Sequence, residues 1–234
     1  MRPITKTKSL PNPNKYAVAL MTENLDLNID EERAPSLKGK WRQSLNTPLD
    51  LEIGTGNGFH FAHLVEKYPD RKILGMEIKY KPLIQTMQRA KRLGFKNFQV
   101  IRYSADYIEE LFAKEELDNV YIHFPDPWAY KSKQLKNRLI STKFLNKVFE
   151  LQRPGSFVEF KTDHAGYFFA VLRALGGTDY ELTRYTENLH ASLWRDKNFQ
   201  THFEKLWTSK GLKTHMMRFK KPSQISYQET KPSI

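Results

Sequence analysis

Short apolar runs alternate with amphipathic stretches between residues 49 and 175 of the chain. The apolar runs are five to seven residues long and are bounded by turn-forming residues, which predicts strands. Each run is followed by a stretch whose apolar residues recur at helical spacing, which predicts a helix. The predicted strands are Leu49–Ile53, Lys72–Ile78, Phe98–Tyr103, Val120–Phe124 and Ser156–Phe160. The predicted helices are Phe59–Tyr68, Lys81–Leu93, Tyr107–Lys114, Asn137–Leu151 and Ala165–Leu175.

This alternation predicts parallel strand–helix–strand units, and therefore a three-layer α/β fold with helices on both faces of a mostly parallel sheet. Two more strands are predicted near the end of the chain, at Tyr180–Tyr185 and Thr214–Phe219, with a long loop and a short helix between them. They are expected to pair without a full crossover. The complete sheet should then have seven strands, with an antiparallel C-terminal edge strand.

The two ends of the chain lack these patterns. Residues 1–45 contain four prolines and no sustained period, which predicts an irregular N-terminal arm. Residues 221–234 are expected to form a flexible tail. The sequence has no internal repeat, so we predict one domain over residues 46–220.

The protein is strongly basic, and its charge is segregated along the chain. Its 234 residues include 38 Lys and Arg against 26 Asp and Glu, which gives a net charge of +12. Residues 71–102 carry nine basic residues and one acid, and residues 131–147 carry six basic residues and no acid. Residues 103–120 carry six acids and one lysine. Segregated basic stretches favour an anionic partner such as nucleic acid, the alternative being a well-solvated surface.

Composition excludes several other classes. The chain has no cysteine, so disulfides, thiolate nucleophiles and cysteine-bound metals or iron–sulfur clusters are ruled out. No apolar run approaches the ~20 residues of a membrane span. We therefore expect a globular cytoplasmic protein with no membrane partner and no required metal. The sequence does not distinguish a monomer from a homodimer.

Three glycines follow the first predicted strand at alternate positions. Residues 49–58 read LDLEIGTGNG, which places Gly54, Gly56 and Gly58 between a strand and a helix. Glycine permits a tight turn and lets a ligand lie against bare backbone at the start of the helix. The third glycine comes one residue too early for a dinucleotide motif, and the carboxylate of Glu52 would repel a pyrophosphate. The pattern favours a ligand with a cationic amino-acid end, such as S-adenosylmethionine (SAM), over a purely structural turn.

Two further acids follow the next two predicted strands. Glu77 comes about 20 residues after the glycines, where a carboxylate accepts two ribose hydroxyls in NAD and SAM proteins alike. Asp106 follows the third strand, where it can accept from an adenine amino group or cap the next helix. The neighbouring Ile78 and Ala105 are expected to line the same site. With Glu52, these acids at three successive strand tips predict a nucleoside cofactor.

The fourth predicted strand ends in FPDPW, residues 124–128. Ligands bind at this carboxyl edge of open α/β sheets. The two prolines hold Asp126 in one backbone conformation and remove competing N–H donors. A fixed acid beside an aromatic residue, followed by a basic stretch, suits a flipped nucleobase. Trp128 alone is equally well explained as a packing residue, and His123 is expected to be a strand residue rather than a catalyst.

These segments resemble those of a known family. Residues 51–58 resemble motif I of class I SAM-dependent methyltransferases. FPDPW with the following basic run is similar to the signature of the bacterial tRNA (guanine-N7-)-methyltransferases. THFE at residues 201–204 with Gly211 resembles that family's T-x-[FY]-E pattern, and KTD at residues 161–163 resembles its T-D step. The resemblance covers about residues 48–220 and implies a three-layer, Rossmann-like class I methyltransferase fold.

The resemblance implies transfer of a methyl group from SAM to N7 of a guanine in the tRNA variable loop, at position 46 in tRNA numbering. It implies Asp126 at the centre of the active site. It implies SAM contacts at three acids: Glu52, Glu77 and Asp106. It implies a guanine pocket lined by four residues: Lys131, Asp163, Thr201 and Glu204. Because the basic run after FPDPW is longer than is usual in the family, Lys133 is an alternative to Lys131.

Three other functions remain open at this stage. Methyltransferases acting on an exocyclic amine carry Asp/Asn-Pro-Pro-aromatic at this strand tip, whereas the segment after Asp126 lacks the second proline. A catalytically silent tRNA-binding module would keep the fold, but the intact acids argue against it. An NAD-dependent dehydrogenase fits Glu77 but neither the glycine spacing nor Glu52.

Overall fold

A mixed sheet of eight strands runs through the middle of the protein. The computed structural model describes residues 4–42, 44, 46–129 and 131–223. The strands are β1 (Asn28–Ile29), β2 (Leu49–Ile53), β3 (Lys72–Met76), β4 (Phe98–Ile101), β5 (Val120–His123), β6 (Phe157–Thr162), β7 (Glu181–Thr186) and β8 (His215–Lys220). Their order in the sheet is β1-β4-β3-β2-β5-β6-β8-β7. β8 is antiparallel to both of its neighbours, and the other pairs are parallel.

The described part of the chain contains six α-helices. They are α1 (Lys15–Thr22), α2 (Phe59–Lys67), α3 (Tyr80–Lys91), α4 (Thr142–Leu151), α5 (Ala165–Leu175) and α6 (His202–Ser209). Helices α1, α2 and α3 contribute to one buried apolar cluster, and α4 and α5 contribute to another. Consecutive strand residues divide between the two clusters, as Ile73 and Leu74 do, because side chains alternate across a sheet. The sheet therefore lies between two helical layers, as predicted.

All seven predicted strands are confirmed, with ends shifted by at most two residues. Two predicted helices differ from the structure. The segment 107–114 is not an α-helix: a 3-10 helix spans Ala105–Glu110, and Tyr107 leaves helical geometry at φ −113° and ψ 29°. The helix predicted before β6 begins five residues late, at Thr142, because the side chain of Ser141 caps it there.

The last two strands, β7 and β8, form an antiparallel pair at one edge of the sheet. β8 lies one place in from that edge, between β6 and β7, and β7 is outermost. The predicted mostly parallel α/β class is confirmed. The sheet has one strand more than predicted, since β1 comes from the N-terminal arm and pairs in parallel with β4.

The described residues of the N-terminal arm, 4–42 and 44, are more regular than predicted. The side chain of Asn14 accepts from two backbone N–H groups and so caps α1. Trp41 is buried and donates its indole N–H to the carbonyl of Leu111 over 2.7 Å. The prediction of an irregular arm was wrong here because the elements are short and lie among prolines, so no periodic pattern develops. The arm packs against the α/β core.

The predicted C-terminal tail begins with an anchored residue. Lys221 is 3% exposed, and its ammonium donates to the carbonyls of Phe149 and Gln152 over 2.9 and 2.8 Å. Residues 224–234 of the predicted tail lie outside the described residues. The domain boundaries at residues 46 and 220 stay predictions. No helix in the described ranges has the length and apolar character needed to cross a bilayer.

Candidate active site

The glycine turn after β2 contains three residues with positive φ and is hydrogen-bonded to the end of β3. Gly54, Gly56 and Gly58 have φ values between +53° and +76°. Gly54 donates its N–H to the carbonyl of Met76 over 2.8 Å, which joins the ends of β2 and β3. At Gly58, a Cβ atom would lie 2.6 Å from the Cα of Thr86. Only glycine therefore allows the start of α2 to pack this closely on α3.

We expect Gly58→Ala to lower the free energy of unfolding by about 3 kcal/mol, because it combines an unfavourable φ with a backbone clash. Gly94→Ala is the matched control: φ is +80° there, but nothing lies within 4 Å of an added Cβ. That variant should lose only about 1 kcal/mol. Urea unfolding of both variants measures the difference, and equal losses would show that the contact with Thr86 is unimportant.

Segments far apart in the sequence surround a cavity of about 330 Å³ at the carboxyl ends of β2 and β5. This volume lies within the range of small-molecule sites. The lining consists of Glu52, residues 54–60, His123, Phe124, Thr201, Phe203 and Leu206. It includes five residues predicted from the sequence: Glu52, Gly54, Gly56, Gly58 and Thr201. We refer to it as the methyl-donor cavity, after the SAM contacts that the sequence predicts for four of these residues.

Glu52 presents a buried carboxylate with one unused oxygen. The residue is 2% exposed. Its Oε1 lies 3.3 Å from Nδ1 of His60, whereas its Oε2 has no hydrogen-bond partner among the described residues. An unpaired buried carboxylate oxygen is costly, and a cationic group in the cavity would offset that cost. The residues present therefore fit the ammonium end of SAM.

Glu77 stands beside the glycine turn at the end of β3. Its Oε2 accepts the N–H of Gly56 over 3.2 Å, and its Oε1 accepts that of Lys79 over 2.9 Å. These bonds hold the carboxylate next to a residue that lines the methyl-donor cavity. The adjacent Ile78 is 45% exposed. Contacts of Glu77 and Ile78 with the cofactor stay predictions.

Asp106 and Ala105 follow β4, on the same edge of the sheet as Glu77. Neither belongs to the lining of the methyl-donor cavity. The carboxylate of Asp106 accepts from the hydroxyl of Ser104 over 3.3 Å. The alternative of an N-cap is wrong, because Ser104 holds the capping position and Asp106 lies inside the 3-10 helix. The SAM contacts of Asp106 and Ala105 stay predictions.

The segment after β5 has an unfavourable backbone conformation. Phe124 and Trp128 have φ values of +51° and +46°, in the left-handed region that only a few per cent of non-glycine residues adopt. Arg138 holds the segment by donating its Nε–H to the carbonyl of Pro127 over 2.8 Å. Asp126, between the two prolines, is exposed and makes no hydrogen bond to any described residue. Asp126 is not part of the lining of the methyl-donor cavity, and its catalytic role stays a prediction.

Helix α6 covers the methyl-donor cavity from the C-terminal part of the chain. Thr201 caps this helix, since its hydroxyl accepts the backbone N–H of Glu204 over 3.1 Å. Phe203 and Leu206, each 44% exposed, line the cavity. The ring of Phe203 lies 5.3 Å from that of Phe124, so the helix is packed onto the segment after β5.

Glu204 lies outside that lining. It is fully buried, accepts from the side-chain amide of Asn198 over 2.8 Å, and lies 3.1 Å from Nε2 of His190. It therefore anchors the segment that precedes α6. The T-x-x-E pattern is also that of a capping box, but only its threonine half forms here, because the Glu204 side chain bonds with Asn198. A contact between Glu204 and guanine stays a prediction.

Lys131 and Asp163 also lie outside the cavity lining. Lys131 is exposed and directly precedes the 3-10 helix Ser132–Asn137. Asp163 is half-buried and follows β6. Their contacts with the substrate stay predictions, as does the choice between Lys131 and Lys133.

The sequence did not point to His60, which lines the cavity from the first turn of α2. Its ring centre lies 4.2 Å from that of His123. Burial, with the positive charge of Lys161, holds the pKa of His123 well below its usual value, so this ring is neutral. The described residues contain no cluster of three His, Asp or Glu side chains arranged to hold a metal ion.

The fold is shared with solved methyltransferases. A SAM-dependent methyltransferase from Aquifex aeolicus matches with a TM-score of 0.50 and 14% identity, over 75% of this chain and 84% of that one. The mostly parallel sheet, the glycine turn and the buried acid beneath it have the arrangement of the class I SAM-dependent methyltransferase fold.

Sequence comparison gives the family. A family model described as "Putative methyltransferase" matches residues 46–217. The tRNA (guanine-N(7)-)-methyltransferase of Bdellovibrio bacteriovorus is 44% identical over 87% of this chain and 100% of its own length. That of Brevibacillus brevis is 30% identical, over 74% of this chain and 82% of its own. The chain belongs to the tRNA (guanine-N(7)-)-methyltransferase family, which confirms the resemblance found in the sequence.

Proposed function

We propose that this enzyme transfers the methyl group of SAM to N7 of a guanine in tRNA, at position 46 of the variable loop. One observation carries the proposal. Three separated segments, the glycine turn, the end of β5 and the start of α6, meet around the methyl-donor cavity. These are three of the segments in which the sequence resembles the family, and Glu52, Phe124 and Thr201 of the family pattern line one cavity.

The methyl-donor cavity has groups suited to the ammonium and the ribose of SAM. The unused oxygen of Glu52 takes the ammonium of the amino-acid end, and Glu77 takes the ribose hydroxyls beside Gly56. When bound, SAM supplies an electrophilic methyl group. Helix α6 shields that group from water with the side chains of Phe203 and Leu206.

The protein needs no general base for this reaction, because guanine N7 carries a lone pair and no proton. Its residues act by orientation and charge. Asp126, with Asp163, accepts from the N1–H and amino groups of guanine and stabilises the positive charge that develops on the purine. Adenine would leave these acceptors unpaired, which disfavours the wrong base.

A folded RNA also fits the basic stretches. The residues of α3 and the run 131–147 can hold the phosphate backbone, with binding that weakens as salt rises. A tRNA substrate implies an enzyme that works in the cytoplasm.

The test is incubation of the purified protein with SAM and an unmodified tRNA transcript, followed by nucleoside mass spectrometry. We expect 7-methylguanosine, and none on a matched transcript with adenosine at position 46. A different methylated base would contradict the assignment of N7. Binding of tRNA without any binding of SAM would instead indicate a silent tRNA-binding module.

A further inference from the structure

A second cavity shares His60 with the first and lies between α2, the strands β6 to β8 and residues 189–199. Its volume is about 60 Å³, far below the ~300 Å³ at which sites for whole nucleosides begin. It has room for a single small group. We call it the basic cavity.

The basic cavity has a large excess of positive charge. Glu159 is the only acid in its lining. That carboxylate is already used, since its Oε2 accepts from Nε of Arg218 over 3.2 Å and its Oε1 lies 3.2 Å from Nε2 of His123. Four other cations of the lining have no carboxylate within 4.0 Å among the described residues: Lys67, Lys161, Arg184 and Lys197.

The buried ammonium of Lys161 is the strongest indication that the basic cavity binds an anion. It is 3% exposed, and in the described chain its ammonium bonds only to the amide oxygen of Asn198. An ammonium has three protons to donate, and burying it without a negative partner is costly. Neither SAM binding nor guanine recognition, as derived above, uses this group.

Two side chains that line the basic cavity, His63 and Arg184, have lowered pKa values. Burial together with the charges of His60, Lys67 and Lys161 lowers the pKa of His63 to about 4. Burial and the nearby Arg218 lower the pKa of Arg184, while Glu159 partly offsets this. In both cases burial is the largest cause, and neighbouring positive charges add to it.

We propose that the basic cavity binds a phosphate group, held by Lys161 and Arg184, and that in the working enzyme this group is a backbone phosphate of the tRNA. The identity of the phosphate as part of a tRNA rests on the proposed function, whereas the anion site itself does not. Lys67 and Lys197, which are exposed at the rim of the basic cavity, attract the anion electrostatically.

The anion site is tested by thermal unfolding of the full chain in inorganic phosphate and in chloride of equal ionic strength. Phosphate should raise the Tm of the wild type through binding to the folded state. Lys161→Met should abolish that increase, yet be at least as stable as wild type in chloride, because it removes an unpaired buried charge. Arg173→Gln, an exposed change on α5, should keep the increase. The site is refuted if phosphate leaves the wild type unchanged or raises the Tm of Lys161→Met equally.

The source of the phosphate is tested by direct tRNA binding in the absence of methyl transfer. Arg184→Gln should bind tRNA about tenfold more weakly, with a plot of log affinity against log salt less steep by about 1. Arg173→Gln removes the same charge and should bind like wild type. Unchanged SAM affinity checks that each variant is folded.

Phosphate stabilisation without any change in tRNA binding would contradict the tRNA source and assign the site to a free phosphate ester. Both measurements are made without turnover. Failure to form 7-methylguanosine would therefore refute the proposed function and leave the anion site standing.

Discussion

An Asp126→Ala enzyme is expected to turn over about 10²- to 10³-fold more slowly while binding SAM as tightly as wild type. Removing one fixed group that stabilises developing charge typically has an effect of this size. The carboxylate is exposed and makes no hydrogen bond to a described residue, so its loss leaves no buried group unpaired. The fold should therefore be unaffected.

Single-turnover rates and SAM titration measure the two quantities separately. Asp126→Asn keeps the shape of the side chain and removes its charge, and we expect it to be nearly as slow. Asp179→Ala, an exposed acid just before β7, is the control for net charge and should be fully active. Equal losses of turnover and SAM affinity in Asp126→Ala would overturn its assignment to the reaction.

Glu52→Gln is expected to weaken SAM binding about 100-fold. A buried hydrogen bond to a charged partner is worth roughly 1.5–3 kcal/mol, and each 1.4 kcal/mol is a factor of ten in affinity. Without SAM the variant should be at least as stable as wild type, because the unpaired buried carboxylate has been neutralised. Calorimetric titration with SAM measures the loss.

Two further ligands distinguish loss of the ammonium contact from a change in the shape of the whole cavity. S-adenosylhomocysteine carries the same ammonium and should lose affinity by the same factor. Methylthioadenosine has the nucleoside but no amino-acid end, so its affinity should not change. If the affinity for methylthioadenosine fell as much as that for SAM, Glu52 would be acting on the shape of the whole cavity rather than on the ammonium.

The α/β core could be predicted because its signals are local. The strand β2 is a continuous buried run, and α2 follows it at helical spacing. The strand β1 has no such signal: it is two residues long and exists because β4 offers it an edge. The position of β8 between β6 and β7 could not be predicted either, since strand order depends on packing across the sheet rather than on the sequence of one strand.

The candidate site also contains residues that local sequence signals reveal and residues whose roles depend on packing. The glycine turn and Glu52 were found because both lie within seven consecutive residues at the end of one strand. The roles of residues on α6 depend on the rotation of that helix. Phe203 faces the methyl-donor cavity, whereas Glu204 turns inward to Asn198, and no spacing in the sequence distinguishes the two orientations.

The place of β8 in the sheet has a consequence for biosynthesis. Until residues 215–220 emerge from the ribosome, the backbone groups along the side of β6 that pairs with β8 have no partner strand. β7 likewise has no strand beside it. Open edges of this kind recruit strands from other chains. The nascent polypeptide is thus most vulnerable to misassembly after β7 has emerged and before β8 has, and a chain terminated ahead of β8 would be an aggregation hazard and not merely a shortened enzyme.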